Sequence, residues 1–164
     1  MSEYRWRSLV NGEEVELVAR PSERLLSLLR EKLGLTGTKI SCELGRCGAC
    51  MVLMDGKLVN SCLVMAFQSN GKAITTIEGV AGEDAHGIQQ AFMEEGGFQC
   101  GYCTPGMIIS VKALLDETPN PTIEHIREGL SGNLCRCTGY GGIIRAVNRC
   151  CEKQREKQER GKTR

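Results

Sequence analysis

The chain has 164 residues, enough for one ordinary domain or two small ones. Its 21 Lys and Arg residues nearly balance its 20 Asp and Glu residues, which argues against electrostatic capture of nucleic acid or of an anionic membrane. No apolar run approaches the roughly 18 residues that a membrane span needs, and residues 1–7 have no apolar secretion signal. We therefore expect a cytoplasmic protein without nucleic-acid or membrane partners.

Residues 1–78 have the pattern of a small β-rich domain packed around one helix. The pattern predicts extended segments at residues 4–10, 13–18, 49–54, 58–66 and 73–77. Asn11-Gly12 favours a type I′ turn between the first two segments. Leucines at helical spacing over residues 25–33 predict the helix, with Ser22 as its N-cap and Gly34 as its end. This arrangement is a β-grasp pattern.

Residues 79–151 instead show helical periodicity. The periodicity predicts four helices, at about residues 86–95, 105–118, 123–131 and from 142 onward. Thr104-Pro105 provides an N-cap hydroxyl followed by a first-turn proline, and Thr122 caps the third helix. Residues 152–164 are almost entirely charged or polar, and we expect them to form a frayed, solvated tail. The fold class is therefore α+β, a β-grasp domain followed by a four-helix bundle.

Eight of the ten cysteines fall into two sets of four. The first set is Cys42, Cys47, Cys50 and Cys62. Its C-x4-C-x2-C…C spacing is that of plant-type [2Fe–2S] ligands, in which one loop wraps a flat cluster and a later cysteine closes the far side. Gly45 and Gly48 permit the loop backbone to turn its N–H groups toward sulfur. A four-cysteine zinc site is the alternative, but the x4 spacing fits it less well.

The second set pairs a C-x2-C motif with a C-x-C motif across a long segment: Cys100, Cys103, Cys135 and Cys137. This spacing alone leaves both a cluster and a zinc site open. Each pair is followed directly by a helix boundary, at Thr104-Pro105 and at Thr138-Gly139. A helix N-terminus directs N–H groups and positive dipole toward an anionic centre, which favours a second iron–sulfur cluster.

The remaining candidate residues are interpreted as structural. Cys150 and Cys151 lie outside both complete sets, and free cysteine packs as a small hydrophobe. His86 and His125 lack the nearby cysteine partner of a Rieske centre, so we expect both on helix surfaces. The sequence contains no dinucleotide-binding or P-loop motif and no evident Ser/His/Asp set, so it identifies no catalytic residue.

Three motifs, at residues 41–50, 99–106 and 133–140, resemble those of the iron–sulfur subunit of the molybdenum hydroxylases. Written out, they are SCELGRCGAC, QCGYCTPG and NLCRCTGY. That family includes xanthine dehydrogenase, aldehyde oxidoreductase and carbon monoxide dehydrogenase. The resemblance extends from about Trp6 to Val147, which is nearly the whole chain.

The resemblance implies two [2Fe–2S] domains. Residues 1–78 would form a plant-type ferredoxin-like domain whose cluster, on the first cysteine set, lies near a flavin. Residues 79–151 would form a helical domain whose cluster, on the second set, lies near a molybdenum cofactor. The resemblance also implies that Gln99 and Cys137 approach the molybdopterin. Ser41 departs from the family, which usually has glycine there, so the geometry of the first loop is expected to differ slightly.

The function that the resemblance implies is electron transfer in a heteromeric molybdenum hydroxylase. Electrons would pass from the molybdenum cofactor on a large subunit, through two [2Fe–2S] clusters, to FAD on a medium subunit. The complex would hydroxylate a purine such as xanthine or hypoxanthine. A related aldehyde, N-heterocycle or carbon monoxide dehydrogenase is the alternative within the family. A stand-alone ferredoxin or redox-sensing binding protein, and a zinc-stapled interaction module, are alternatives from other classes.

Overall fold

The structure is a computed structural model that describes residues 4–80 and 83–162, with only the backbone at residues 83–86, 154 and 157–162. Its strands are β1 (Tyr4–Val10), β2 (Glu13–Ala19), β3 (Met51–Met54), β4 (Lys57–Asn60) and β5 (Ala73–Thr75). Its α-helices are α1 (Leu25–Ser27), α2 (Ala66–Ser69), α3 (Glu83–Glu94), α4 (Thr104–Glu117), α5 (Ile123–Gly129) and α6 (Gly141–Lys162). None of the described helices is both long enough and apolar enough to cross a membrane.

The five strands form one mixed sheet in the order β2-β1-β5-β3-β4. β1 and β5 run parallel at its centre, and the other neighbouring strands are antiparallel. Asn11 and Gly12 join β1 to β2 with φ values of 53° and 86°, the pair of positive values that the predicted type I′ turn requires. The hairpins β1–β2 and β3–β4 lie on either side of β5, which pairs in parallel with β1, and this topology confirms the β-grasp prediction for the first half of the chain.

The first helix packs under the sheet, where Trp6, Leu25 and Leu29 are fully buried. It begins at Leu25 with Arg24 at the N-cap, so the prediction of Ser22 as N-cap is wrong. The reason is that Arg24 pairs with Met65 in an isolated antiparallel bridge, which keeps the backbone extended up to residue 24. After α1 the helix widens into a π-helical turn over Leu28–Lys32.

Residues 58–66 form the end of a strand, a turn and the start of α2 instead of one extended segment. The Met65 N–H donates to the Gln68 side chain at 2.8 Å, which begins the helix. Trp6 Nε1 donates to Ser69 Oγ at 3.0 Å and holds α2 against the core. This turn places Cys62, which is buried, directly behind the first cysteine loop.

The second half is the predicted four-helix bundle, formed by α3 to α6. Its core includes Phe92, Met107 and Ile143, all essentially inaccessible to solvent. Cys150 and Cys151 belong to the same core, each 6% exposed. Burial raises the pKa of Cys150 to about 11, so this thiol stays protonated at neutral pH and packs as an apolar side chain.

Residues after 151 were expected to form a frayed tail, but α6 continues to Lys162. Lys153 Nζ lies 3.2 Å from a carboxylate oxygen of Glu94 on α3. Arg155 Nε donates to Asn120 Oδ1 at 2.7 Å. These contacts with α3 and with the loop after α4 stabilise the part of α6 that follows residue 151. The local composition does not indicate them, because the partners are distant in the sequence.

The two halves meet where β3 packs against α4. Met51 and Ile109 belong to one core cluster at this junction. A methyl group at the Cβ position of Gly106 would lie only 2.2 Å from Gly48 O, so the two backbones can approach this closely only because Gly106 has no side chain. The sheet gives way to helices around the 3-10 turn Ile77–Gly79, and we propose the domain boundary after residue 78.

Candidate metal centres

The loop of residues 41–50 wraps around the sulfur of Cys42. Three of its residues have positive φ: Glu43 (53°), Gly45 (71°) and Gly48 (69°). The resulting turn directs the N–H groups of Leu44 and Arg46 at Cys42 Sγ, each with a nitrogen–sulfur distance of 3.4 Å. Led by the Leu44 N–H, these hydrogen bonds lower the pKa of Cys42 to about 6. The loop is therefore built to hold a thiolate.

Cys50 and Cys62 form the buried side of the same set. The Ser61 hydroxyl donates to Cys50 O at 2.7 Å, which fixes the turn after β4 against the end of the loop. Burial raises the pKa of Cys50 to about 12. A thiolate at this position therefore needs a bound cation beside it, as a metal ligand has.

In the second set, Cys100 and Cys137 are exposed and their Sγ atoms lie 3.7 Å apart. Cys103 and Cys135 are half-buried. Burial raises the pKa of Cys103 to about 12. Burial acts in the same direction on Cys135. Hydrogen bonds from Thr138, whose hydroxyl lies 3.1 Å from the sulfur, act together with the Cys137 N–H and the Cys103 thiol to outweigh burial and lower the pKa of Cys135.

The eight cysteines interact in four pairs. The sulfurs of Cys100 and Cys137 lie 3.7 Å apart. In the other three pairs, the neighbouring thiol contributes to a shift in pKa: Cys47 acts on Cys42, Cys62 on Cys50, and Cys135 on Cys103. A zinc site gathers four ligands around one ion, whereas a [2Fe–2S] cluster shares its four thiolates between two irons. Two pairs in each half therefore fit one binuclear cluster per half.

A buried hydroxyl at the second set also fits a bound cluster. Cys103, and not the predicted Thr104, is the N-cap of α4, because the Cys103 carbonyl already accepts from the Met107 N–H at 3.0 Å. Thr104 Oγ1 is buried and has no hydrogen-bond partner in the described part of the chain. Buried hydroxyls are nearly always hydrogen-bonded, and a cluster sulfur would supply the acceptor. A cavity of about 390 Å³ is lined by all four cysteines of the second set.

Three hydrogen bonds join the two ligand loops: Leu134 N–H to Cys47 O (2.9 Å), Asn133 Nδ2 to Gly48 O (3.3 Å), and the Tyr102 hydroxyl to Ile40 O. Leu134 immediately precedes Cys135, so one hydrogen bond and a short stretch of backbone connect cysteines of different sets. This contact between the two loops was not predicted from the sequence. Asn133 and Gly48 are 85 positions apart, and no periodicity or spacing reports a pairing over that separation.

Two family models match adjacent parts of the chain. The model described as "2Fe-2S iron-sulfur cluster binding domain" matches residues 8–76. The model described as "[2Fe-2S] binding domain" matches residues 76–148. Each match contains one complete cysteine set.

A probable xanthine dehydrogenase subunit of Bacillus subtilis (strain 168) is 59% identical over 145 residues, which are 88% of this chain and 84% of that protein. The chain belongs to the iron–sulfur subunits of the molybdenum hydroxylases. The nicotinate dehydrogenase small FeS subunit of Eubacterium barkeri is 50% identical over 145 residues, 88% of this chain and 92% of that protein. The crystal structure of quinoline 2-oxidoreductase from Pseudomonas putida 86 contains a chain that matches with a TM-score of 0.86 and 41% identity, covering 94% of this chain and 97% of that chain.

As an iron–sulfur subunit of this family, the chain contributes electron transfer, not catalysis, to an oxidoreductase complex. It holds two [2Fe–2S] clusters, one in each half. The family match thus confirms the predicted cluster chemistry over the zinc module, and the predicted subunit over a stand-alone ferredoxin.

Gln99 and Cys137, predicted to contact molybdopterin, both lie on the exposed side of the second cysteine set. Gln99 directly precedes Cys100, whose sulfur contacts that of Cys137. The contact with the pterin stays a prediction. Ser41 lies outside the left-handed region of φ, so a residue other than glycine causes no backbone strain there.

His125 is exposed and caps a helix. Its backbone N–H donates to Thr122 Oγ1 at 3.3 Å, and its Nδ1 accepts from the Thr122 N–H at 3.4 Å. This reciprocal pair confirms Thr122 as the N-cap of α5. The side chain of His86, predicted to be on a surface, lies outside the described residues.

Proposed function

We propose that this chain relays electrons between a large subunit that carries the molybdenum cofactor and a medium subunit that carries FAD. Cys42, Cys47, Cys50 and Cys62 hold the flavin-side cluster, and Cys100, Cys103, Cys135 and Cys137 hold the molybdenum-side cluster. Each [2Fe–2S] cluster supplies a centre that accepts and releases one electron. The observation that carries the proposal is the 2.9 Å hydrogen bond from Leu134 N–H to Cys47 O, which links the two ligand loops directly.

The exposure of the two sets supports the assignment of the partners. Cys100 and Cys137 are exposed at the edge of the second set, whereas Cys50 and Cys62 are buried within the first half. A large cofactor bound to another subunit can reach an exposed pair. We therefore assign Gln99 and Cys137 to the contact with molybdopterin, with Gln99 offering an amide that donates and accepts hydrogen bonds.

For the complete enzyme we propose oxidative hydroxylation of a purine such as xanthine or hypoxanthine. The 59% identity to a probable xanthine dehydrogenase subunit supports this substrate class. The second candidate is a simpler N-heterocycle, because nicotinate dehydrogenase subunits are 50% and 49% identical to the chain. The substrate itself binds to the large subunit, so residues of this chain do not select between the two.

The substrate class is tested with the complex assembled from this chain and its two partner subunits. Xanthine, hypoxanthine, nicotinate and an aldehyde are added without oxygen, and cluster reduction is followed by rapid-freeze electron paramagnetic resonance. We expect the purines to reduce the second cluster first and the isolated chain to oxidise none of the four compounds. Reduction by nicotinate alone would contradict the purine assignment and leave the electron relay intact.

Gln99→Ala tests the proposed contact with the pterin. We expect this variant to keep the iron content of the wild-type chain and to slow the first reduction step after substrate addition about tenfold, since loss of one productive hydrogen bond amounts to roughly 1–1.5 kcal/mol. Gln90→Ala, which removes an exposed glutamine on α3, is the matched control and should leave this step unchanged. Equal behaviour of the two variants would contradict the assignment.

A further inference from the structure

The sulfur of Cys135 receives a hydrogen bond that no backbone group supplies. Thr138 Oγ1 lies 3.1 Å from Cys135 Sγ, three positions along the same turn. Thr138 Oγ1 also accepts the Tyr140 N–H at 3.2 Å. A hydroxyl that accepts one N–H still has its own proton to donate, and here the donation is directed at the sulfur. The contact therefore has a defined polarity.

The backbone at Tyr140 is held in an unusual conformation that produces this geometry. Its φ is 65°, in the left-handed region that a bulky residue adopts only when its surroundings enforce it. Here the hydrogen bonds of the Tyr140 hydroxyl stabilise this backbone conformation. The hydroxyl accepts the Cys135 N–H at 2.9 Å and donates to Asn133 O at 2.9 Å. The Tyr140 side chain is therefore fixed to the backbone of Asn133 and Cys135, at the start of the turn, by two hydrogen bonds to its hydroxyl.

We infer that Thr138 and Tyr140 set the reduction potential of the second cluster. Thr138 donates to the Cys135 sulfur, and Tyr140 is the positioning residue that fixes the Thr138 hydroxyl through its N–H and fixes the turn through its own hydroxyl. This inference rests on the proposed assignment of Cys135 as a ligand. It adds a role for two residues that bind no metal.

The sign of the effect follows from electrostatics. Reduction adds one negative charge to the cluster, and part of that charge resides on the thiolate sulfurs. A hydrogen bond donated to such a sulfur stabilises the reduced state more than the oxidised state, so it raises the reduction potential. Cys135 and Cys103 form the half-buried pair of this set, where less water is available to replace a lost donor.

The test is a redox titration of the isolated holo-subunit, monitored by electron paramagnetic resonance, with iron measured in every sample. Thr138→Val removes the hydroxyl with little change in shape. We expect the ratio of reduced to oxidised second cluster, at a fixed ambient potential, to fall about tenfold, which corresponds to 59 mV for one electron. Thr138→Ser keeps a hydroxyl and should remain near the wild-type ratio. The first cluster should titrate unchanged in both variants and serves as the internal control.

Tyr140→Phe provides an independent test because it keeps Thr138 and removes only the hydroxyl that braces the turn. We expect a smaller shift in the same direction, again confined to the second cluster. If Thr138→Val does not retain its second cluster, the potentials of Tyr140→Phe and Thr138→Ser test the inference. An unchanged potential in Tyr140→Phe, or a Thr138→Ser shift as large as that of Thr138→Val, would overturn the inference. Loss of iron from a Cys135→Ser sample tests the ligand assignment separately, and retention of full iron there would instead contradict the proposed function.

Discussion

At the scale of single residues, Cys42 and Cys150 show how strongly the surroundings of a sulfur atom change the same thiol. Cys42 lies in a loop whose N–H groups lower its pKa to about 6, so the loop favours a thiolate. Cys150 lies in the helical core, and burial raises its pKa to about 11. The same side chain is thus prepared for metal binding in one place and for apolar packing in the other.

Cys47→Ser should remove the first cluster and leave the second. We expect the iron content to fall from about four to about two per chain, because each [2Fe–2S] site contributes two irons. One of the two paramagnetic signals of the reduced protein should disappear. The second signal should remain, since Cys47 touches the second loop through its carbonyl oxygen, which serine retains.

Cys150→Ala is the control for thiol loss. It leaves both ligand sets complete, and it should keep all iron and both signals while lowering the free energy of unfolding by about 1–2 kcal/mol through the lost core volume. Loss of either cluster in Cys150→Ala would show that the thiols have been assigned wrongly.

At the scale of secondary-structure elements, one close backbone approach determines how the two ligand loops face each other. Gly106 lies in the first turn of α4 and contacts the carbonyl of Gly48 in the first loop. The next carbonyl back along that loop, Cys47 O, accepts the Leu134 N–H. The position of α4 therefore also controls the hydrogen bond that links the two cysteine sets.

Gly106→Ala should separate α4 from the first loop, because the new methyl group would overlap Gly48 O. We expect the free energy of unfolding to fall by about 1–3 kcal/mol, the usual cost of overpacking. Gly87→Ala is the matched control on α3, where a new methyl group meets nothing within 4 Å. It should stabilise the protein by up to about 1 kcal/mol through helix propensity. Chemical denaturation of the holo-protein measures both changes, and equal stabilisation by both substitutions would contradict the contact.

At the scale of the whole molecule, two small hydrophobic cores pack together and position the two candidate metal sites. The sheet has its own core around Trp6, the helices have theirs around Phe92, and a third cluster that contains Met51 and Ile109 joins the two halves. Both ligand loops lie at this junction. Each loop therefore depends on the half that contains it and on the half that faces it.

The intact chain should contain about four irons and four acid-labile sulfides, two of each for every [2Fe–2S] site. After reduction with dithionite, we expect two distinguishable paramagnetic signals, because the first set contains a buried pair of cysteines and the second contains an exposed pair. Elemental analysis and electron paramagnetic resonance measure both quantities. About two irons per chain, or zinc in place of iron, would contradict the two-cluster assignment.

The features that the sequence alone determined are those encoded by neighbouring residues. The alternating and helical periodicities identified the β-grasp half and the bundle, and Asn11-Gly12 identified the hairpin turn. Cysteine spacing predicted both ligand sets, because three candidate ligands of the first cluster lie in one loop and those of the second form two short motifs. Such signals survive in the sequence because the residues that form them are close together in it.

Only the tertiary structure decided the features that depend on distant partners. The bridge from Arg24 to Met65 moved the start of the first helix, and contacts with Glu94 and Asn120 extended the last helix beyond the expected end. The pairing of sulfurs across the second set and the Leu134 to Cys47 hydrogen bond also required the fold. The physical reason is the same in each case: a contact between residues tens of positions apart stabilises a conformation that neither segment's own preferences specify.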